Sequence, residues 1–243
     1  MIAATTALVG RDGLAGASLL AKEIASARAA HAPSCPERDR GTALAERALD
    51  ATALARAAMA VAEVLERQGA LSADEAAAVR EVDLASHLGP LLDWATGRSP
   101  VAPFAAAPIA WSVVRLALPA FVGSSGPREE IGSEGGCPEC GMAPDLATLG
   151  ATGARRLVCG ACDTEWRFDR LRCPFCGTGA QDQLGYLAGG VSGAVIRVCD
   201  ACGCYLKTID RRSLSGDETP LLLRLVSTEM DVSAERAGYH PAG

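Results

Sequence analysis

The chain has little of what catalysis on a globular scaffold usually employs. Its 243 residues include three histidines (His31, His87, His240) and 4% aromatics. It carries no Ser-His-Asp set, no phosphate-cradling glycine loop and no dinucleotide fingerprint, so those reaction classes lose their usual carriers and no catalytic residue is assigned. A secretory leader is also missing from the expectation, because no basic residue precedes the apolar stretch of MIAATTALVGRDGLAGASLL. The most apolar segment, residues 104–122, is broken by Pro108, Ser112, Arg115 and Pro119. A bilayer span needs about 20 mostly apolar residues without a mid-span charge, so a buried core helix is expected there, and a cytoplasmic protein with no membrane span. Positive charge is short as well. Lys and Arg number 23 against 29 Asp and Glu, the net charge is −6 and the pI about 5.2. Nucleic-acid binders normally carry a basic footprint.

What is present is cysteine, very unevenly placed. Nine of the ten cysteines fall between Cys137 and Cys204. In a reducing cytoplasm such clustering favours metal binding or redox chemistry over structural disulfides. Cys35 stands alone and reads as a small core residue.

Two compositions divide the chain. Residues 1–122 read as an α-helical domain. Residues 44–65 lack Gly and Pro and place Leu49, Leu54, Met59 and Val61 near helical spacing. Ser72 and Glu75 form a capping box that starts a second helix, which Gly89-Pro90 is expected to end. Helices around 91–96 and 107–121 are expected next. Residues 123–136, rich in Gly, Ser and charge, read as a linker. Residues 137–170 and 171–216 read as two small ribbons, and 217–243 as a C-terminal helix and tail. Thr219 is its N-cap, Pro220 its first position and Gly238 its end, with Leu221, Leu222, Leu225 and Met230 as the docking face. The fold class expected is therefore α+β, multidomain: an N-terminal α-helical bundle, tandem rubredoxin-like or zinc-ribbon modules of four cysteines each, and a C-terminal helix.

Four Cys-x-x-Cys pairs carry the chemistry: Cys137/Cys140, Cys159/Cys162, Cys173/Cys176 and Cys199/Cys202, separated by 18, 10 and 22 residues. Two cysteines three positions apart on a tight turn can aim both sulfurs at one ion, and a hairpin brings two such turns together. CPECG…LVCGACDTEW aligns with CPFCG…RVCDACGCYL, at an offset of 36 positions for the first cysteines and 40 for the third-position ones, Cys159 and Cys199. This duplication assigns Cys137, Cys140, Cys159 and Cys162 to one metal site. Cys173, Cys176, Cys199 and Cys202 form the other. From spacing alone the interleaved pairing stays open. Cys204 falls opposite Thr164 and is not expected to be a ligand. All-thiolate sites suit zinc or rubredoxin-type iron, and each contributes on the order of 10 kcal/mol or more to folding a module too small to bury its own core.

Two other functions fit the residues less well. A thiol-disulfide oxidoreductase carries one Cys-x-x-Cys at a helix N-terminus in a βαβ fold, an alternation missing here. In residues 137–216, nine basic side chains face eight acidic ones, and each divalent ion with four thiolates adds −2. A module near −3 has no charge left for phosphate neutralisation. Trp166, Phe168, Phe175 and Tyr186 suit a mini-core, with Trp166 and Phe175 also candidate partner contacts.

The run CPECG…RRLVCGACDTEWRFDRLRCPFCG…VCDACGCYLKTID closely resembles the formate dehydrogenase accessory protein family, FdhE. Carrying the resemblance are Cys162-x-Thr-Glu-Trp166, the basic stretch into Cys173, Cys202-Gly-x-Tyr-Leu-Lys207, and Ala237-Gly-Tyr239. The resemblance covers residues 137–210 strongly and the tail fairly, while the helical half matches weakly. It implies a cytoplasmic assembly factor rather than an enzyme, one that associates with the molybdenum-bearing catalytic subunit of formate dehydrogenase before export. It also implies a helical part followed by two rubredoxin-like modules, with the eight cysteines above at the family's four motifs and an iron or zinc ion in each. A rubredoxin-like electron carrier for the same enzyme is the rival function. Cys204 departs from the family pattern, and the helical part is shorter than usual.

Overall fold

A computed structural model describes residues 11–33, 43–122, 128–132, 135–188, 193–213 and 219–242; Cys35 lies outside them. The backbone divides into two compact units at residues 124/125.

The first unit is helical: α1 (Arg11–Ala29), α2 (Ala51–Arg67), α3 (Ala73–Arg80), α4 (Leu84–Ala95), α5 (Ala107–Ala117) and the single turn α6 (Pro119–Val122). α2 is its centre, burying Leu54, Ala57, Ala58, Val61, Ala62, Val64 and Leu65. Alanine at so many core positions lets neighbouring helices approach at little rotamer cost. The regular helix starts at Ala51 rather than Leu44, because Asp50 Oδ1 accepts the Ala53 N–H at 2.9 Å and caps it. The Ser72–Glu75 capping box forms as expected.

Gly89-Pro90 does not end that second helix. α3 stops at Arg80, and Asp83 starts α4 by accepting the Ser86 N–H and Oγ–H at 3.3 and 2.6 Å. Pro90 then sits inside α4. Its missing N–H leaves the Ser86 carbonyl without a helical donor, yet Ser86, Gly89 and Pro90 all face solvent, where water replaces the bond. Pro119 is the effective break instead: it separates α5 from α6 in the expected 107–121 helix.

Among its described residues, the second unit is a seven-stranded sheet with two short α-helices. Its strands are β1 (Arg128–Gly132), β2 (Pro144–Leu149), β3 (Arg155–Cys159), β4 (Glu165–Phe168), β5 (Leu184–Ala188), β6 (Ala194–Cys199) and β7 (Tyr205–Asp210). Their order is β1-β4-β3-β2-β7-β6-β5. Each ribbon is an antiparallel meander, β2-β3-β4 and β5-β6-β7. A parallel ladder from Leu146↔Lys207 to Leu149↔Asp210 fuses the two into one sheet. β1, inside the stretch read as linker, pairs in parallel with β4.

The terminal helix expected over 220–237 is two helices, α7 (Pro220–Val226) and α8 (Thr228–Arg236), meeting at the fully buried Ser227. Thr219 Oγ1 caps the first by accepting the Leu222 N–H. The buried face is Leu221, Leu223, Met230 and Ala234, with Leu222 and Leu225 only half-buried. Leu223, Met230 and Ala234 share one core with Leu146 and Val158 of the first ribbon and Ile196, Val198, Tyr205 and Ile209 of the second. α8 is also tied to β7 by Asp231, which accepts from Tyr205 Oη at 2.9 Å and Lys207 Nζ at 2.8 Å.

Candidate metal centres

Each Cys-x-x-Cys pair sits on a turn built by one repeated rule. The N–H of its first cysteine donates to the carbonyl five residues on: Cys137 to Met142, Cys159 to Thr164, Cys173 to Thr178 and Cys199 to Cys204, at 2.9–3.0 Å. The residue after the second cysteine adopts positive φ, as a closing turn of this kind demands. Three of these residues are Gly141, Gly177 and Gly203. The fourth is Asp163, with φ 61°, the only non-glycine at positive φ among the described residues. Backbone N–H groups also point at sulfur: Glu139 at Cys137 Sγ, Ala161 at Cys159 Sγ and Phe175 at Cys173 Sγ, at 3.3–3.4 Å. Such donors favour thiolate over thiol.

The turns bring the eight sulfurs together as two groups of four, Cys137/Cys140/Cys159/Cys162 and Cys173/Cys176/Cys199/Cys202. Within each, all ligand atoms lie within 4.8 Å of one another. No interleaved group forms among the described residues. Sulfur separations are 3.5–3.6 Å for Cys137–Cys162, Cys140–Cys159 and Cys140–Cys162. They are 3.7–3.8 Å for Cys176–Cys199 and Cys173–Cys202. Metal–sulfur bonds of about 2.3 Å in a tetrahedron put sulfurs about 3.8 Å apart, whereas a disulfide needs about 2.05 Å. Each group can therefore hold one metal ion. Burial pushes the Cys159, Cys173 and Cys202 thiols up, so four clustered thiolates require a cation, and a bound metal reverses the shift outright. Both the donor set and its spacing fit zinc or iron.

The two clusters differ in their surroundings. All four cysteines of the first are buried, while in the second Cys176 is exposed and Cys202 half-buried. Behind the first lies Arg224 of α7. Its guanidinium donates to Asp145 at 2.8 and 3.0 Å, to Asp163 at 2.5 Å and to the Cys159 carbonyl at 2.6 Å. Burial alone would lower its pKa; Asp145 and then Asp163 outweigh that and raise it. The same ion pair occupies the Asp that takes the glycine position of the second turn. Sequence reasoning missed Arg224; Asp163 standing where the other three turns have glycine was the available signal.

The fourth turn is held by the C-terminal tail. Tyr239 Oη donates to Asp200 at 2.6 Å, and the His240 N–H to the Gly203 carbonyl at 2.9 Å. Cys204 lies outside both clusters, buried, with its sulfur 3.8 Å from His240 Nδ1. Trp166 is buried, as a mini-core residue should be, and Phe175 half-buried.

No family model matches the chain. Among curated proteins it is similar to a protein FdhE homolog of Aquifex aeolicus, 33% identical over 108 residues covering 42% of this chain and 38% of that one. It is also similar to protein FdhE of Escherichia coli, 30% identical over 153 residues covering 60% and 48%. Over these aligned stretches the chain is similar to FdhE proteins. It spans less than half the length of these two relatives in the aligned part. The crystal structure of the FdhE protein from Pseudomonas aeruginosa aligns over 95% of this chain and 85% of its own, at 21% identity and a TM-score of 0.49. No helix among the described residues is long and apolar enough to cross a membrane.

Proposed function

We propose that this chain is an accessory factor in formate dehydrogenase maturation, a non-enzyme that docks the catalytic subunit of that enzyme in the cytoplasm. What supports the reading is similarity to FdhE proteins together with two sulfur clusters of the right size for one metal ion each. The eight cysteines Cys137, Cys140, Cys159, Cys162, Cys173, Cys176, Cys199 and Cys202 are the proposed ligands of two iron or zinc ions. In this role the metals harden two hairpins and the fused sheet between them into a rigid docking platform, and supply folding free energy the small ribbons lack. The helical residues 1–122, the ribbons 137–170 and 171–216 and the terminal 217–243 are proposed as its working parts, and nucleic acid is not among its partners.

The test is capture from the native cell with metal analysis. The formate dehydrogenase catalytic subunit is expected to co-purify, and Cys137→Ser or Cys173→Ser to unfold its ribbon and abolish activation of the enzyme. Normal activation by both variants, or recovery of ribosomal or transcription partners instead, would overturn the proposal.

Exposure of Cys176 favours a second reading, an electron carrier, because a rubredoxin-like iron needs an open edge for transfer. Reversible bleaching of iron–thiolate bands at a physiological potential would support it, and a colourless protein with two zinc ions per chain would exclude it.

A further inference from the structure

Beside the second cluster, a narrow cleft is lined by four arginines: Arg155 of β3, Arg197 of β6, and Arg170 and Arg172 between β4 and the third turn. We propose that this cleft is a binding site for a small oxyanion, a carboxylate or phosphate-sized group. The inference stands whether or not the assembly role does.

Arg155 is only 2% exposed. Its Nη1 donates to the carbonyls of Asp169 and Arg172, at 3.3 and 3.1 Å, but its buried Nε has no hydrogen-bond partner. Arg197 spends one nitrogen on the Arg170 carbonyl and another on Tyr186 Oη, with its guanidinium 4.9 Å from the Tyr186 ring centroid. Arg170 and Arg172 donate to the carbonyls of Gly153 and Gly177. None of the four forms an ion pair with a carboxylate among the described residues. Carbonyl dipoles satisfy donors without cancelling charge, and a buried guanidinium lacking a counter-charge is costly. Burial and then the Arg197 charge bring Arg155 down to about 10, as expected where cations crowd.

Cys173 lines the same cleft, so a metal-loaded second cluster adds negative field along one wall. No sulfur accepts from Arg155 Nε, however. A carboxylate or phosphate in the cleft supplies a close counter-charge that the carbonyls do not, and guanidinium binds both with paired donors. Size agrees. The cleft has room for about 50 Å³, roughly three to five waters at 10–15 Å³ each, which suits a carboxylate and excludes a nucleotide. Leu171 and Tyr186 at its mouth are 60% and 59% exposed, so the oxyanion can arrive free or on the acidic side chain of a docked chain.

The test titrates the metal-loaded 243-residue chain at constant ionic strength by calorimetry. The probes are acetate, inorganic phosphate, and a blocked peptide with one glutamate between two leucines. One site per chain is expected, with Arg197→Gln weakening it at least about tenfold and Arg80→Gln, in the helical unit, leaving it unchanged. If Arg197→Gln fails to fold, amide shifts of the unsubstituted protein on titration decide; they should centre on Arg155, Tyr186 and Arg197. A peptide at least about tenfold tighter than acetate, with that gain lost in Leu171→Ser, assigns the oxyanion to a partner chain, whereas equal affinities assign it to a free ion. Absence of saturable binding, equal loss in Arg80→Gln, or shifts centred elsewhere would overturn the site. So would unchanged binding with reduced metal affinity in Arg197→Gln, because the arginines would then serve the metal cluster alone.

Discussion

The two sulfur clusters are made from one motif and end in different environments. Both use four cysteines on two turns joined through a meander, and their turns follow the same hydrogen-bond rule. The first is sealed. Its cysteines are all buried, Glu139 beside them is 2% exposed, and Arg224 clamps Asp145, Asp163 and the Cys159 carbonyl from α7. The second is open along Cys176 and Cys202, with the tail residues Tyr239 and His240 covering only its fourth turn. Ligand set and spacing therefore do not decide how exposed such a site is. The surroundings do, and at the first cluster they include Arg224 of α7.

The largest effect that can break this comparison is metal loss. Chelator should empty the second cluster first and the first cluster only as its ribbon unfolds, each loss costing on the order of 10 kcal/mol. Acid should act in the same order. Thiolate ligands must stay deprotonated, so metal-linked stability is present at neutral pH and lost as pH falls and protons compete. Metal release followed by absorbance or mass spectrometry checks both, and equal release rates for the two sites would contradict the sealing.

Next in size is Arg224→Met, which takes the guanidinium away from the partly buried carboxylates of Asp145 and Asp163. Loss of one partner from a buried pair costs about 3–5 kcal/mol. The substitution should speed metal release from the first cluster and leave the second at its former rate. A uniform acceleration would mean that α7 merely supports the sheet.

Gly177→Ala sharpens the comparison from the other side. Gly177 has φ 74°, and an added Cβ would meet only Arg172 Nη2 at 3.5 Å, an ordinary contact. The expected cost is the left-handed backbone penalty alone, about 1–2 kcal/mol, seen in chemical denaturation and confined to the second site. The smallest change is Tyr239→Phe. It removes one exposed hydrogen bond to Asp200, worth about 0.5–1.5 kcal/mol, and should slightly hasten release from the second cluster.

Much of the site was legible because its information is local. Cys-x-x-Cys spacing, the proline and glycine within the turns, and the near-duplication specify which sulfurs meet before any long-range contact is known. Helix starts were legible for the same reason: Ser72 and Thr219 cap through bonds to residues three positions away. Helix ends were less so. Pro90 ought to stop a helix, but on the solvent face of α4 its missing donor costs little, and Asp83 had already restarted the chain. The break at Ser227 was likewise hidden, since Leu223, Met230 and Ala234 share the core at the spacing of one continuous helix face, so the apolar pattern does not mark it. The arginine-lined cleft was only half legible: Arg170 and Arg172 lie in the basic stretch into Cys173, but Arg155 and Arg197 join them from two separate strands.

Sequence alone determined that this chain has a helical half and a thiolate half and that its cysteines come as four turn-borne pairs, since those follow from periodicity, capping and spacing over a few residues; the structure closed the interleaved pairing that spacing left open. Tertiary structure alone decided that β2 lies parallel to β7, that Arg224 reaches the first cluster across 61–79 residues of chain, and that one cluster is sealed while the other stays open. Such choices depend on which surfaces bury one another, and a parallel ladder or a long-range ion pair leaves no periodic mark in the chain that forms it.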